Sequence, residues 1–325
     1  MRAFQVSNFG DAPALVDVAD PIPAKNEVKV NIAACGLNFA DLLMIKGDYQ
    51  DTPAPPFTLG MEVSGTIASV GKGVTDLPIG TRVAVFGGSG GLADCGLFPA
   101  DRCVPLPDAM PFTDAAAFMV AYGTSHMALD YKAGLKPGET LLVLGAAGGV
   151  GLTAVEIGKL MGARVIACAR GAEKLKVAKA AGADHLIDAK TEDIREVCKS
   201  LGGVDVVYDP VGGDQFIAAM RSCKPEARIL TIGFASGEVP KVPANHLLVK
   251  NINLIGFYWG GYLKFKPAAL TDSLSKLFEL YADGRIKPHI SQAFPLERAA
   301  EGLELLRSRK STGKVVIEIT PPSPD

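Results

Sequence analysis

Between Glu27 and Ile32 the chain alternates. Val28, Val30 and Ile32 face one way and Lys29 and Asn31 the other, the two-residue period of a strand with one buried face. Val63 to Val70 is a second strand, stopped by Gly71-Lys72-Gly73. The turn Asp76-Leu77-Pro78-Ile79-Gly80 leads into a third strand over Arg82 to Phe86. The opening MRAFQVSNFG also reads as a strand. Short strands punctuated by Gly and Pro predict a small barrel or sandwich over residues 1–121. From about Met110 the period changes. Asp114 to Leu129 carries a long apolar helical pattern. Beyond it, strands are predicted at 141–145, 164–169, 185–188, 204–208, 228–233 and 252–258, with helices at 172–181, 190–201 and 213–222. This is the α/β alternation of a doubly wound parallel sheet of six strands, assigned to residues 122–261. Helices at 267–282 and 296–308 and a strand at 314–319 follow. With the sheet already complete, they are expected to rejoin the first domain, giving it residues 1–121 and 262–325. The final PPSPD is expected to fray.

The turn after the first strand of the sheet carries candidate chemistry. Leu141 to Gly151 reads LLVLGAAGGVG, a strand, a Gly-rich turn and the start of a helix over Leu152 to Met161. That is the context a dinucleotide-binding fingerprint requires. Ala146 stands at its first glycine. Gly148 lets the backbone approach a pyrophosphate, and Gly151 lets the helix pack close to its strand. Ala147, Gly148, Gly149 and Val150 would present the phosphates with main-chain N–H groups at the positive end of the helix. The next strand, Arg164 to Ala169, ends at Arg170, with Lys174 one helical turn further. An acidic residue here would bind the ribose 2′-hydroxyl of NAD. Two cations suit a 2′-phosphate instead, so the expected cofactor is NADPH. The doubly wound sheet binds ligands at the carboxyl ends of its strands, where Val211, Phe234, Phe257 and Trp259 stand. The two aromatics are either a nicotinamide wall or interdomain core.

Composition narrows the class. Lys+Arg 33 against Asp+Glu 35 gives a net charge of −2, no footprint for nucleic acid or an anionic membrane surface. No apolar run reaches the ~20 residues of a membrane span. The N-terminal stretch lacks the apolar core of a signal peptide. The six Cys, at 35, 95, 103, 168, 198 and 223, form no CxxC pair. They read as buried residues of a reducing, cytoplasmic compartment. The four His (126, 185, 246 and 289) are dispersed and take no role.

The layout resembles the medium-chain dehydrogenase/reductase superfamily, in its zinc-free quinone oxidoreductase, or zeta-crystallin-like, branch. The resemblance covers nearly the whole chain. Its most specific part runs from Gly138-Glu139-Thr140-Leu141 through the Gly-rich turn to Lys159, with Glu156 where the branch usually has Gln. Cys35-Gly36-Leu37-Asn38-Phe39-Ala40-Asp41, Leu59-Gly60-Met61-Glu62 and Lys250 to Gly260 are similar as well. The resemblance implies a GroES-like β-barrel domain plus a Rossmann domain, with the active site in the cleft between them. Zinc-dependent relatives carry Gly-His-Glu and a lobe of four cysteines. Here the triplet is Gly60-Met61-Glu62, a Met cannot replace the imidazole, and only Cys95 and Cys103 fall near the lobe. No metal is expected. Cys35 reads as core filler and Glu62 as paired inside the fold.

Without a metal, positioned hydrogen-bond donors must carry the charge that develops on the substrate. The resemblance offers Asn38, facing the nicotinamide, Tyr49, lining the pocket, and Thr124, touching the nicotinamide ribose or amide. Each also has a structural reading: Asn38 as a turn or cap, Tyr49 as a loop aromatic, Thr124 as a hydroxyl bonded to its own helix. Asp41 reads as structural. The expected activity is hydride transfer from NADPH to a quinone or other conjugated carbonyl. An enoyl-thioester or enone reductase and a non-catalytic NADPH-binding sensor are the alternatives. The apolar stretch Asn253 to Tyr258 is expected at a sheet edge. Relatives pair this edge across a twofold axis, so the resemblance implies a homodimer.

Overall fold

The computed structural model describes residues 1–319; the PPSPD segment lies outside them. The chain divides into two compact units, Met1–Val120 with the residues from Lys287 onward, and Ala121–Ile286. In chain order the first unit begins with β1 (Arg2–Val6), β2 (Ala14–Asp17), β3 (Glu27–Leu37), α1 (Phe39–Lys46), β4 (Phe57–Thr58), β5 (Glu62–Val70), β6 (Arg82–Phe86), β7 (Cys95–Pro99), β8 (Cys103–Pro105) and α2 (Phe112–Ala116). α3 (Met119–His126) carries the chain into the second unit. There follow β9 (Thr140–Leu144), α4 (Gly149–Leu160), β10 (Arg164–Ala169), α5 (Ala172–Ala180), β11 (His185–Asp188), α6 (Ile194–Ser200), β12 (Val204–Asp209), α7 (Gly213–Ser222), β13 (Cys223–Thr231), α8 (Ala244–Lys250), β14 (Asn253–Gly256), α9 (Tyr262–Phe265) and α10 (Pro267–Ala282). The first unit resumes with β15 (Ile290–Pro295), α11 (Ala299–Arg307) and β16 (Lys314–Glu318).

The first unit is a GroES-like β domain. Its larger sheet runs β15-β16-β3-β5-β6-β8, with β7 also on β3; a smaller sheet runs β2-β1-β4. β3 organises it. Val28, Val30 and Ile32 are buried as their alternation predicts. The strand then continues past Ile32 to Leu37, where the alternation fades because Ala34, Cys35, Gly36 and Leu37 are all buried. β5 and β16 flank that end of β3, opposing Gly36 with Glu62 on one side and Leu37 with Val315 on the other. Register shifts between Lys29 and Val30 and between Ile32 and Ala34 bend the strand.

The second unit is the doubly wound sheet, all parallel, in the order β11-β10-β9-β12-β13-β14. β9 is buried along its whole length. The core around it joins Leu142, Leu144, Ile166, Ile187, Val207, Ile229, Phe216 and Met220.

Three expectations are corrected. The 114–129 helical pattern breaks into α2 and α3, because one apolar run serves two cores: Ala116 and Ala117 pack with Ala34 and Val316 of the first unit. The helix expected at 190–201 starts only at Ile194, where the Asp193 side chain accepts Glu196 N and caps it. The helix 267–282 has the expected bounds but belongs to the second unit, so the first resumes at Lys287 rather than at 262. A helix needs no place within a sheet. α10 lies beside α3, with Ser273 Oγ 2.7 Å from His126 Nδ1.

Candidate nucleotide and active site

Four buried or half-buried residues meet where β3, β5 and β16 converge. Lys314 begins β16 at 4% exposure and Glu62 begins β5 at 1%. The Lys314 ammonium donates three bonds: to Glu62 Oε1 (2.6 Å), Asn38 Oδ1 (2.8 Å) and the Leu37 carbonyl (2.8 Å). Glu62 Oε1 also accepts Asn38 Nδ2 at 2.9 Å, and its Oε2 accepts Val120 N at 2.9 Å. The second Asn38 hydrogen goes to the Gly36 carbonyl at 3.2 Å. The buried charge pair is therefore fully hydrogen-bonded, the condition under which burying charge is tolerable. Sequence reading missed Lys314. Only strand register places it beside Glu62, 252 residues away in the chain.

This network redefines Asn38. It caps α1, as one of its two structural readings expected. Both amide hydrogens are already donated inward, so as it stands the side chain has no N–H for an external oxygen. Asp41 holds the same corner: Oδ2 accepts Asn38 N at 2.8 Å and Oδ1 accepts Gly60 N at 3.3 Å. Burial raises its pKa to about 6. Tyr49 lies half-buried in the turn beyond α1, which ends at the left-handed Gly47.

The residues expected to hold a nucleotide belong to the second unit. Gly148 is the N-cap of the twelve-residue α4. Gly149 and Val150 open its first turn, next to the buried Ala147. The decisive position is Gly151, where a Cβ would lie 2.2 Å from the Gly145 carbonyl oxygen. Only glycine lets the helix sit that close to its strand. Ser125 Oγ anchors the helix from beneath, donating to the Val150 carbonyl and bonding Thr153 and Tyr208. Glu156, the one departure from the branch signature, accepts the Tyr122 hydroxyl at 2.6 Å.

One strand-end residue, Val211, meets this turn, and a second, Phe234, packs on the loop after β12. A Cβ on Gly145 would meet Val211 at 3.0 Å, and one on Gly212 would meet Phe234 at 3.1 Å. Asp209, missed by sequence reading, fixes that loop: its Oδ1 accepts Val211 N and Gly212 N at 2.7 and 2.9 Å. Phe257 and Trp259 are 7% and 4% exposed. Phe257 packs on Tyr262, and the Trp259 ring lies against Gly123. Thr124 is 7% exposed on α3, and its hydroxyl makes no hydrogen bond among the described residues. The expected bond to its own helix is not formed. Arg170 stands exposed at the end of β10, and Lys174 half-buried in the first turns of α5.

Residues 24–108 match the family of alcohol dehydrogenase GroES-like domains, and residues 149–275 match the zinc-binding dehydrogenase family. The chain is 41% identical to a quinone oxidoreductase-like protein 2 homolog of Nematostella vectensis, over 90% of this chain and 81% of that protein. It is 34% identical to the human synaptic vesicle membrane protein VAT-1 homolog, over 92% and 80%. The structure of Escherichia coli quinone oxidoreductase complexed with NADPH superposes with a TM-score of 0.91, at 31% identity, covering 98% of this chain and all of that one. The zinc in one family description does not fit these residues. Met61 offers no imidazole, and the Glu62 carboxylate is committed to Lys314. Among the described residues no three His, Cys, Asp or Glu side chains gather as a metal site. With its GroES-like unit, its parallel six-stranded sheet and an ammonium on the carboxylate, the chain belongs to the medium-chain dehydrogenase/reductase superfamily, in its zinc-free quinone oxidoreductase-like branch.

Proposed function

We propose that the protein is an NADPH-dependent oxidoreductase that delivers hydride to a quinone or another conjugated carbonyl. The observation that carries the reading is the β9–α4 turn, where Gly151 admits no side chain and the N–H groups of α4 open toward the carboxyl end of the sheet. The relatives named as quinone oxidoreductase-like and the neighbour crystallised with NADPH support it.

NADPH, when bound, supplies the hydride. Ala147 to Val150 would hold its pyrophosphate through main-chain N–H groups, and Arg170 and Lys174 its 2′-phosphate. Val211 and Phe234 would flank the bound cofactor, with the unbonded Thr124 hydroxyl reaching the nicotinamide end. A quinone or enone delocalises the incoming charge by itself, so hydrogen bonds suffice where an alcohol would need a metal or strong base. Tyr49 is the proposed donor to the acceptor oxygen. Asn38, its hydrogens committed to Glu62 and Gly36, acts as a positioning residue.

The test is NADPH oxidation with 9,10-phenanthrenequinone beside a panel of enones and enoyl thioesters. Saturable quinone turnover is expected, lowered in Tyr49→Phe by about 10²-fold, the effect of losing one oxyanion donor. Faster oxidation of ordinary alcohols would overturn the reading. A second reading, a non-catalytic NADPH-binding protein, is favoured by the likeness to a relative named for a vesicle membrane rather than for an activity. NADPH binding without turnover of any acceptor would establish it. We further infer a homodimer paired through β14 and, from six free buried cysteines, a reducing cytoplasmic compartment. No helix among the described residues is long and apolar enough to cross a membrane.

A further inference from the structure

The loops that end β10 and β11 hold a third cation beside Arg170 and Lys174. After β10 comes the exposed Arg170, then Gly171, whose φ of +87° starts α5. After β11, which pairs directly with β10, comes the exposed Lys190. Asp188 ties the two loops together: one oxygen, Oδ1, accepts both Gly171 N and Lys190 N at 3.0 Å. Those two N–H groups hold its pKa below the ordinary value. Across from it lies the bare face of Gly171. A Cβ built there would have one neighbour within 4 Å, the Lys190 Nζ at 3.7 Å. The ammonium is thus carried over the start of α5 by a loop whose position Asp188 sets. Neither the Lys190 ammonium nor the Arg170 guanidinium makes a hydrogen bond or ion pair among the described residues. The Asp188 carboxylate lies within electrostatic reach of the Lys190 ammonium, and a doubly charged anion at these strand ends would add attraction for both cations.

We propose that Lys190 is a specificity-determining residue for the cofactor, supplying from β11 a third cation that grips the 2′-phosphate together with Arg170 and Lys174. The inference rests on the NADPH reading above and adds to it a residue outside the β9–α4–β10 segment. A phosphate monoester offers three acceptor oxygens and nearly two charges. The 2′-hydroxyl of NADH offers neither, so an ammonium at this place distinguishes the two cofactors rather than strengthening both.

The experiment is titration of wild type, Lys190→Ala and Lys190→Arg with NADPH and with NADH, followed by cofactor fluorescence at low and high salt. Lys190→Ala should weaken NADPH about tenfold, the scale of one charge-assisted bond at an exposed site, and leave NADH within about twofold. It should also flatten the salt dependence of NADPH binding. Lys190→Arg should keep the preference, since a guanidinium also binds phosphate. Undiminished NADPH affinity in Lys190→Ala, in a protein whose wild type prefers NADPH, overturns the role of Lys190 and leaves the cofactor reading standing. Equal losses for NADPH and NADH also overturn it, by showing a displaced loop instead of a lost phosphate contact. A wild type without preference for NADPH overturns both.

Discussion

Lys314 is the residue whose loss should be felt most. Lys314→Met leaves Glu62 buried without its cation and Asn38 without a donor to its oxygen. Removing one partner of a buried pair costs roughly 3–5 kcal/mol, read as a lower denaturant midpoint. Adding Glu62→Gln should recover most of that, because the amide still accepts a bond and no charge is stranded. A double variant as unstable as the single would show that charge pairing is not what holds this corner. Asp41 makes a second prediction. Its pKa, about 6 when folded against 3.8 ordinarily, is raised, so the folded state takes up the proton first. Its contribution to stability is full below pH 4 and is lost as pH rises through about 6. The loss is about 3 kcal/mol at 1.36 kcal/mol per pH unit. Urea unfolding of wild type and Asp41→Asn across this range should show the slope in the first and its loss in the second.

At the scale of elements, α4 and its turn are where sequence and structure agree most closely. Gly151→Ala puts a methyl group 2.2 Å from the Gly145 oxygen, so helix or strand must shift. Overpacking of this kind costs about 1–3 kcal/mol. Nucleotide affinity should fall further than stability, because the displaced N–H groups are those proposed to meet phosphate. Unchanged NADPH titration in Gly151→Ala would remove the turn from the site. The 114–129 stretch shows the opposite case. Its apolar periodicity is continuous, yet the helix breaks near Ala117, because periodicity records which residues are buried and not which core buries them. α10 was misassigned for a related reason: its apolar face was legible, its partner α3 was not.

For the whole molecule the open feature is an edge. β14 ends the six-stranded sheet, with one side unpaired among the described residues. Beside it in sequence lie Leu248 and Val249, 77% and 75% exposed, and on the strand itself Leu254 is 38% exposed. An apolar edge of this kind is ordinarily paired or covered. Light scattering at micromolar concentration should give twice the 33.9 kDa chain mass. Charged substitutions at Leu248 and Leu254 should return the monomer. A wild type that scatters as a monomer contradicts the dimer.

The sequence by itself determined the α/β class, the six strands and the Gly-rich turn, because strand period, glycine spacing and helix starts are local properties of neighbouring residues. It also identified Met61 as a residue that breaks a metal site, since one side chain's chemistry is enough to decide that. Tertiary structure alone decided the rest. The partners of Glu62, the inward commitment of both Asn38 hydrogens and the approach of Lys190 to Gly171 all depend on which strands lie side by side. Strand register is set by the global burial of apolar faces rather than by any short window of sequence. So Lys314 reads in isolation as one more lysine at a strand end, and becomes the buried partner of Glu62 only when β16 is laid against β3.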